Sequence, residues 1–270
     1  MNASSPIGVF DSGIGGLTVV RELIRLMPSE SVIYLGDTAR VPYGIRSPET
    51  VRRYAREGMG FLLSKGVKLL VVACNTVSAV GLDELSREAS VPVIGVLEPG
   101  SRAAARKTVN GKVGVIGTQA TIKSSAYVKA IHAVKDGIEV STQACPLFVP
   151  LVEEGWLEGQ VPELAAEKYL EGLKSSGVDT IVLGCTHYPL LKPVISRVMG
   201  PDVQLIDSAA ETANEVWERL QSMGLESRGN ETPLREFFVT DSPDGFKSVG
   251  DRFLGQSIGD ISMVKLEVIR

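Results

Sequence analysis

Metal-binding side chains are scarce in this sequence. Its 270 residues hold two histidines and three cysteines, with no Cys-x-x-Cys or His-x-x-x-His spacing, so a metal centre is not expected. The cysteines, Cys74, Cys145 and Cys185, are odd in number and far apart, which fits reduced thiols in a reducing compartment rather than a disulfide framework. No stretch approaches 18 uninterrupted apolar residues, and the opening MNASSPIGVF has neither a basic n-region nor a long apolar core. Neither a membrane span nor a secretory leader is therefore expected, and the reading places the protein in the cytoplasm. There is no surplus of basic charge either. The 28 Lys and Arg stand against 32 Asp and Glu, a net charge of -4, which argues against a dedicated nucleic-acid surface. Arg52, Arg53 and Arg56 read as the solvated face of a helix. A hydrophobic content of 44% is ample for one large α/β domain or two ordinary ones.

The candidate chemistry is concentrated in two stretches with the same grammar, KLLVVACNTVSAV from Lys68 and TIVLGCTHYPLL from Thr180. Each runs from a short apolar β-type segment to a cysteine and a hydrogen-bonding pair, Asn75-Thr76 after Cys74 and Thr186-His187 after Cys185. The C-terminal end of a parallel strand, facing the N–H groups of the next helix, is where open α/β sheets place their ligands. A thiol in that position is expected to have its pKa lowered from about 8.5, making thiolate available near neutral pH. The same N–H groups can hold a substrate carboxylate. A single strand-end cysteine is more often packing than chemistry, but two in matching frames, with His187 close to one of them, point to a paired site. Cys145, followed at once by Pro146, lacks that frame and reads as packing.

Strands are expected at residues 7–11, 32–35, 93–97, 112–117, 203–206 and 237–240, besides the two that lead to Cys74 and Cys185. Helical patterns fill most of the intervals. Ser47-Pro48-Glu49 has the form of an N-cap, a first-position proline and a first-turn acid, opening a helix to about Lys65. Thr38 to Arg46 reads as a loop with Tyr43 near the surface or lining a cleft, and Glu98-Pro99-Gly100 as a break of the kind a domain crossing makes. The glycine turn after Asp11 invites a dinucleotide reading, but Thr18 stands where the third glycine belongs and Asp11 puts negative charge at the pyrophosphate mouth. The alternation indicates α/β lobes with mostly parallel sheets, and the two cysteine units, 111 residues apart, suggest two similar lobes facing across a cleft. Residues 1–97 with 208–270 form the expected first domain, its C-terminal tail returning to it, and 98–207 the second.

Taken together, Asp11-Ser12-Gly13-x-Gly15-Gly16-Leu17-Thr18, Pro42-Tyr43-Gly44, Ala73-Cys74-Asn75-Thr76, Gly117-Thr118 and Gly184-Cys185-Thr186-His187-Tyr188-Pro189 resemble the motifs of the cofactor-independent glutamate racemases, in the same order. The resemblance implies reversible conversion of L-glutamate to D-glutamate for peptidoglycan, with no cofactor, in a homodimer. It implies that Cys74 takes the α-proton from D-glutamate and Cys185 from L-glutamate, each reprotonating in the other direction. It further implies Asp11 beside one thiol and His187 beside the other, with Glu153 or its neighbour Glu154 as the partner of His187. Asp11, Ser12, Tyr43, Gly44, Asn75, Thr76, Thr118, Thr121, Thr186 and His187 would supply the donors for the two carboxylates and the amine.

Chemistry asks for such a pair independently, because inverting a carbon needs a base and an acid on opposite faces, able to exchange roles. Without an electron sink, the carbanion-like state must be held by preorganised donors in a site closed to water. Two other readings share these residues: a two-cysteine racemase for aspartate or another α-acid, and a non-catalytic protein closing on a dicarboxylate.

Overall fold

The computed structural model describes residues 2–227, 229 and 232–267. Short Val/Ile/Leu runs buried on both faces make parallel strands, and amphipathic segments make the crossover helices. In chain order these are β1 (Ile7–Asp11), α1 (Leu17–Leu26), β2 (Val32–Gly36), α2 (Pro48–Ser64), β3 (Leu69–Val72), α3 (Asn75–Val80), α4 (Leu82–Glu88), β4 (Val93–Gly95) and α5 (Leu97–Lys107). There follow β5 (Lys112–Gly117), α6 (Gln119–Lys123), α7 (Ala126–Val134), β6 (Glu139–Ala144), α8 (Phe148–Glu153), α9 (Gln160–Ser175), β7 (Thr180–Gly184), α10 (Lys192–Met199), β8 (Gln204–Asp207), α11 (Ser208–Met223), β9 (Arg235–Val239), α12 (Pro243–Leu254) and β10 (Ile261–Met263). Among the described residues no helix is long and apolar enough to cross a membrane.

The strands form two sheets, one of six in the order β10-β9-β2-β1-β3-β4 and one of four in the order β6-β5-β7-β8. Every pairing between described strands is parallel. The C-terminal strands β9 and β10 add to the first sheet alongside β2, so the tail does return to the first lobe. In each sheet the chain winds one way from a central strand and then the other, so the strand order reverses between β1 and β3 and again between β5 and β7. Open sheets have a crevice at such reversal points. Asp11 and Cys74 stand at the ends of one pair of strands, Thr118 and Cys185 just past the ends of the other. α11 packs against α1 on one side and α5 on the other, which joins the lobes behind the strand ends.

The structure corrects the expectation at Glu98-Pro99-Gly100. These residues form the first turn of α5 rather than a break, and β4 is correspondingly shorter than residues 93–97. A proline there removes an N–H that has no intrahelical acceptor in any case. Strands β6 and β10 have no counterpart in the apolar pattern, since both lie at sheet edges and are largely polar or exposed. Ser47 caps α2 as expected, accepting from the Thr50 N–H at 3.3 Å. The 38–46 segment folds into two 3-10 turns, and of the two places expected for Tyr43 the surface is ruled out, since it is buried.

One buried cation ties three distant segments to the first sheet. Lys68 is fully buried, and its ammonium donates to the Ala3 carbonyl at 2.6 Å, Glu30 Oε2 at 2.6 Å and the Leu225 carbonyl at 2.7 Å. The other Glu30 oxygen accepts from the Ser227 N–H at 2.6 Å. Removing the cation strands a buried carboxylate and two carbonyls. Lys68→Ala is expected to lose about 3–5 kcal/mol of stability in urea unfolding, the range for breaking a buried pair from one side. A loss below about 1 kcal/mol, the scale of a surface pair, would contradict this account.

Candidate active site between the two sheets

The first half of the site is built by β1 and β3. Asp11 is almost wholly buried, and its Oδ2 accepts from the N–H groups of Gly13 at 3.1 Å and Gly16 at 3.0 Å. This close approach of α1 requires glycine, because a Cβ on Gly16 would lie 2.5 Å from Asp11 Cβ. The Tyr34 hydroxyl buttresses the turn by donating to the Gly13 carbonyl at 2.7 Å. Asp11 Oδ1 is buried with no hydrogen-bond partner. Burial lifts the Asp11 carboxyl above its ordinary range, against the Gly16 N–H and the charge of His187, which pull it down. Cys74 sits at the head of α3, 5% exposed, and its thiol donates to Ser12 Oγ at 3.2 Å.

The expected lowering of the Cys74 pKa is reversed in the structure. Burial pushes this thiol up to about 12 and the charge of Asp11 adds to the rise; the Ser12 hydroxyl and the N–H groups of Val77 and Thr76 act in the expected sense but are outweighed. Cys74 is therefore a protonated thiol in the closed, solvent-poor site.

The second half follows β7. Cys185 is 6% exposed, with its Sγ 3.9 Å from His187 Nδ1. On the far side of the ring, His187 Nε2 lies 2.9 Å from Glu153 Oε1, so Glu153 rather than Glu154 makes this contact. Burial by itself would lower the histidine, but its hydrogen bonds with Cys185 and Glu153 and their charges raise it to about 10. Phe253 of α12 packs edge-on against the ring at a centroid distance of 5.1 Å. The two thiols thus sit in fields of opposite sign, carboxylate at Cys74 and imidazolium at Cys185.

The other candidate residues fall at the seam between the lobes. Thr76, Thr118 and Thr121 form one hydroxyl cluster, with Thr118 Oγ1 at 3.1 Å from Thr76 Oγ1 and 3.0 Å from Thr121 Oγ1. Gly44 packs against Thr118, where a Cβ would lie 2.8 Å from Thr118 Cβ. Asn75 Oδ1 accepts from the Tyr127 hydroxyl at 2.6 Å. The Tyr43 hydroxyl donates to Asp37, which is itself buried and held by Arg40 and Thr240. Its phenol therefore braces the loop, and only its backbone is left to serve the cleft. Cys145 is wholly buried, which holds its thiol well above the ordinary value, in keeping with packing.

Contact across the seam is close. The Thr18 hydroxyl reaches the Thr186 carbonyl at 3.1 Å, and a Cβ on Gly15 would overlap Thr186 Oγ1 and lie 2.5 Å from His187 Nδ1. One small space between the lobes, lined by Thr18, Asn75, Cys185, Thr186 and Ser208 among others but not by Cys74, holds about 10 Å³, roughly one water. A groove of about 840 Å³ opens elsewhere between the lobes, but of the candidate site residues only Thr76 lines it. Tyr127, Ser208 and Phe253 escaped the sequence reading as site residues, and Thr18 entered it only within a motif. Ser208 alone carried a signal, as a hydroxyl just past the end of a strand.

The Asp/Glu/hydantoin racemase family model matches residues 7–216. The chain is 56% identical to a glutamate racemase of Geobacter metallireducens over 261 residues, 97% of each chain, and 48% identical to one of Chlorobaculum tepidum over 98% and 97% of the two chains. Among solved structures it is similar to glutamate racemase from Francisella tularensis in complex with D-glutamate, at 39% identity and a TM-score of 0.93 over 98% of this chain and 99% of that one. It is also similar to the Escherichia coli glutamate racemase in complex with L-glutamate and the activator UDP-MurNAc-Ala, at 30% identity and a TM-score of 0.78 over 92% and 95%.

Two outcomes follow from the geometry. Gly15→Ala is expected to hold the lobes apart while leaving each folded, lowering kcat/KM by about 100-fold, the scale of an ångström-level misplacement, with little change in Tm. An active Gly15→Ala would show that the close contact is dispensable. His187, raised from 6.5 to about 10, is expected to hold its proton at pH 8 in an NMR titration and to titrate lower in Glu153→Gln. Because the folded value lies above the unfolded one, the stability that the pair adds over Glu153→Gln should be complete below about pH 6.5 and vanish as pH rises through about 10. An unchanged His187 titration in the variant would remove Glu153 from the account.

Proposed function

The chain belongs to the Asp/Glu/hydantoin racemase family, and from that premise we propose that it interconverts L- and D-glutamate by proton transfer between Cys74, Cys185 and the α-carbon, without a cofactor. One observation carries the reading: two thiols stand at the reversal points of two facing parallel sheets, each with a partner of opposite charge character. The same reading divides the chain into 1–97 with 208–270 and 98–207, and retains the cytoplasmic homodimer that the resemblance implies. Its product would be D-glutamate for peptidoglycan.

The fields around the thiols supply a direction. His187, protonated beside Cys185, favours negative charge there, while burial and Asp11 hold Cys74 as a thiol. In the direction from L-glutamate, Cys185 would act as base and Cys74 as acid on the opposite face. For D-glutamate the thiol proton of Cys74 must leave first, and the unpartnered Asp11 Oδ1 is available to receive it. The Thr76, Thr118 and Thr121 hydroxyls and the N–H groups at the head of α3 would hold the substrate carboxylates, which blunts charge development at the α-carbon. Since both thiols are almost wholly buried, substrate would enter with the lobes parted and react once they close.

Proton NMR of the protein with L-glutamate in deuterated buffer, followed alongside circular dichroism, tests this directly. Loss of the α-proton together with optical activity is expected. Cys74→Ala and Cys185→Ala should each slow racemisation by about 10²–10⁴-fold, the usual worth of a positioned acid or base. Exchange with aspartate but not glutamate would reassign the substrate. Binding of glutamate with no exchange would leave a binding protein, and wild-type racemisation in both alanine variants would end the two-thiol mechanism.

A further inference from the structure

Asn75 is the first residue of α3, directly after Cys74, and its amide can face the cleft with either end. Which end does so decides whether it offers a donor or an acceptor to the substrate. The group that decides lies on the other lobe. Tyr127 of α7 is 2% exposed, and its hydroxyl lies 2.6 Å from Asn75 Oδ1 and 3.3 Å from Ser208 Oγ. Ser208 Oγ in turn lies 3.3 Å from the Leu183 carbonyl.

Two proton arrangements satisfy this chain. In one, the Tyr127 proton goes to the Asn75 carbonyl oxygen, Ser208 donates to the tyrosine oxygen or to Leu183, and the Asn75 NH₂ faces the cleft. In the other, the amide is turned over, its NH₂ donates to Tyr127, Tyr127 donates to Ser208, Ser208 donates to Leu183, and the Asn75 oxygen faces the cleft. The distances separate them. A contact of 2.6 Å belongs to an O–H···O bond, whereas an N–H···O bond centres near 2.9–3.0 Å, and the contact to Ser208 is 3.3 Å. Burial also raises the Tyr127 phenol further above its already high ordinary value, so it is a permanent donor. Asn75 lines the small interlobe space together with Cys185, Thr186 and Ser208.

We propose that Tyr127 is a positioning residue: reaching across from the second lobe, it fixes the Asn75 amide with its NH₂ toward the cleft, so that closure itself presents a hydrogen-bond donor to a substrate carboxylate. This deepens the glutamate reading and rests on it. When the lobes part, the bond from α7 to α3 is stretched or broken and the amide is free to turn. When they meet, the donor end is restored. A site poised in this way recognises an anionic oxygen at that point and disfavours an ammonium or amide N–H there.

A double-mutant cycle reads the coupling. Tyr127→Phe keeps the ring and removes the proton, and is expected to raise KM for L- and D-glutamate about tenfold, the worth of one buried hydrogen bond, with a smaller change in kcat. In an Asn75→Ala background the same substitution should change KM less than twofold. If Tyr127→Phe costs the same factor with and without Asn75, its role is structural and the proposal fails while the racemase reading stands. A second measurement needs no variant to fold. With [¹⁵N]asparagine-labelled wild-type protein, the Asn75 side-chain NH₂ resonance should shift on saturation with D-glutamate. An NH₂ resonance indifferent to glutamate, in protein that still racemises it, would overturn the inference. Absence of racemisation in the wild type would instead overturn the reading on which it rests.

Discussion

Burial at the contact between the lobes leads the shifts of Asp11 and Cys74 and makes His187 depend on its hydrogen-bond partners. Gly15 lies so close to Thr186 and His187 that no side chain fits between them, and Thr18 bonds to the Thr186 backbone across the seam. With Asp11, Cys74, Cys185 and His187 all buried, the charges inside are weakly screened. Asp11, Cys74 and His187, which would differ little from free residues in solvent, become strongly dependent on their neighbours. The rise of Cys74 to about 12 is led by desolvation, while His187 rises to about 10 because its hydrogen bonds exceed the desolvation that opposes them. The same closure therefore makes one thiol an acid and puts a cation beside the other.

That asymmetry bears on why the two halves, so alike in topology, differ in their polar partners. Both place a thiol after a strand at a reversal of strand order, yet one has Asp11 on the neighbouring strand end and the other His187 two residues along its own chain. A site with the same partner on both sides would put both thiols in the same field. Proton transfer across a carbon needs one to give and one to take. Unlike partners in like frames provide that difference without a metal or cofactor in the proposed mechanism.

Much of this was legible in the sequence because it is carried by short, local patterns. The apolar runs before Asp11, Cys74, Thr118 and Cys185 are central strands buried on both faces, the kind that periodicity reveals. The edge strands β6 and β10 are not, since half-exposed polar strands have no such run. Pro99 misled because a proline is punctuation in the middle of a helix and harmless in its first turn. The thiol reading erred for a related reason. Proximity to a helix N-terminus can be read from the local chain, whereas the depth of burial that outweighs it depends on the other lobe. The bond that takes up the Tyr43 hydroxyl was not legible, because Asp37, its partner, gave no local sign of being buried.

What no local pattern carries is contact between segments far apart in the chain. Tyr127 is an ordinary apolar-face residue of its helix in sequence, and only the packing of α7 against α3 brings its hydroxyl to Asn75. Phe253 reaches His187 from the returning C-terminal helix, and Arg252 beside it donates to the Val152 carbonyl at 3.2 Å in the helix that carries Glu153. The first lobe thus supports the acid–base pair of the second, and the second orients an amide of the first. Each half of the site is completed by side chains from the opposite lobe. In the proposed cycle, parting the lobes would admit solvent and loosen these supports together, and closure would restore the geometry and the electrostatics in a single motion.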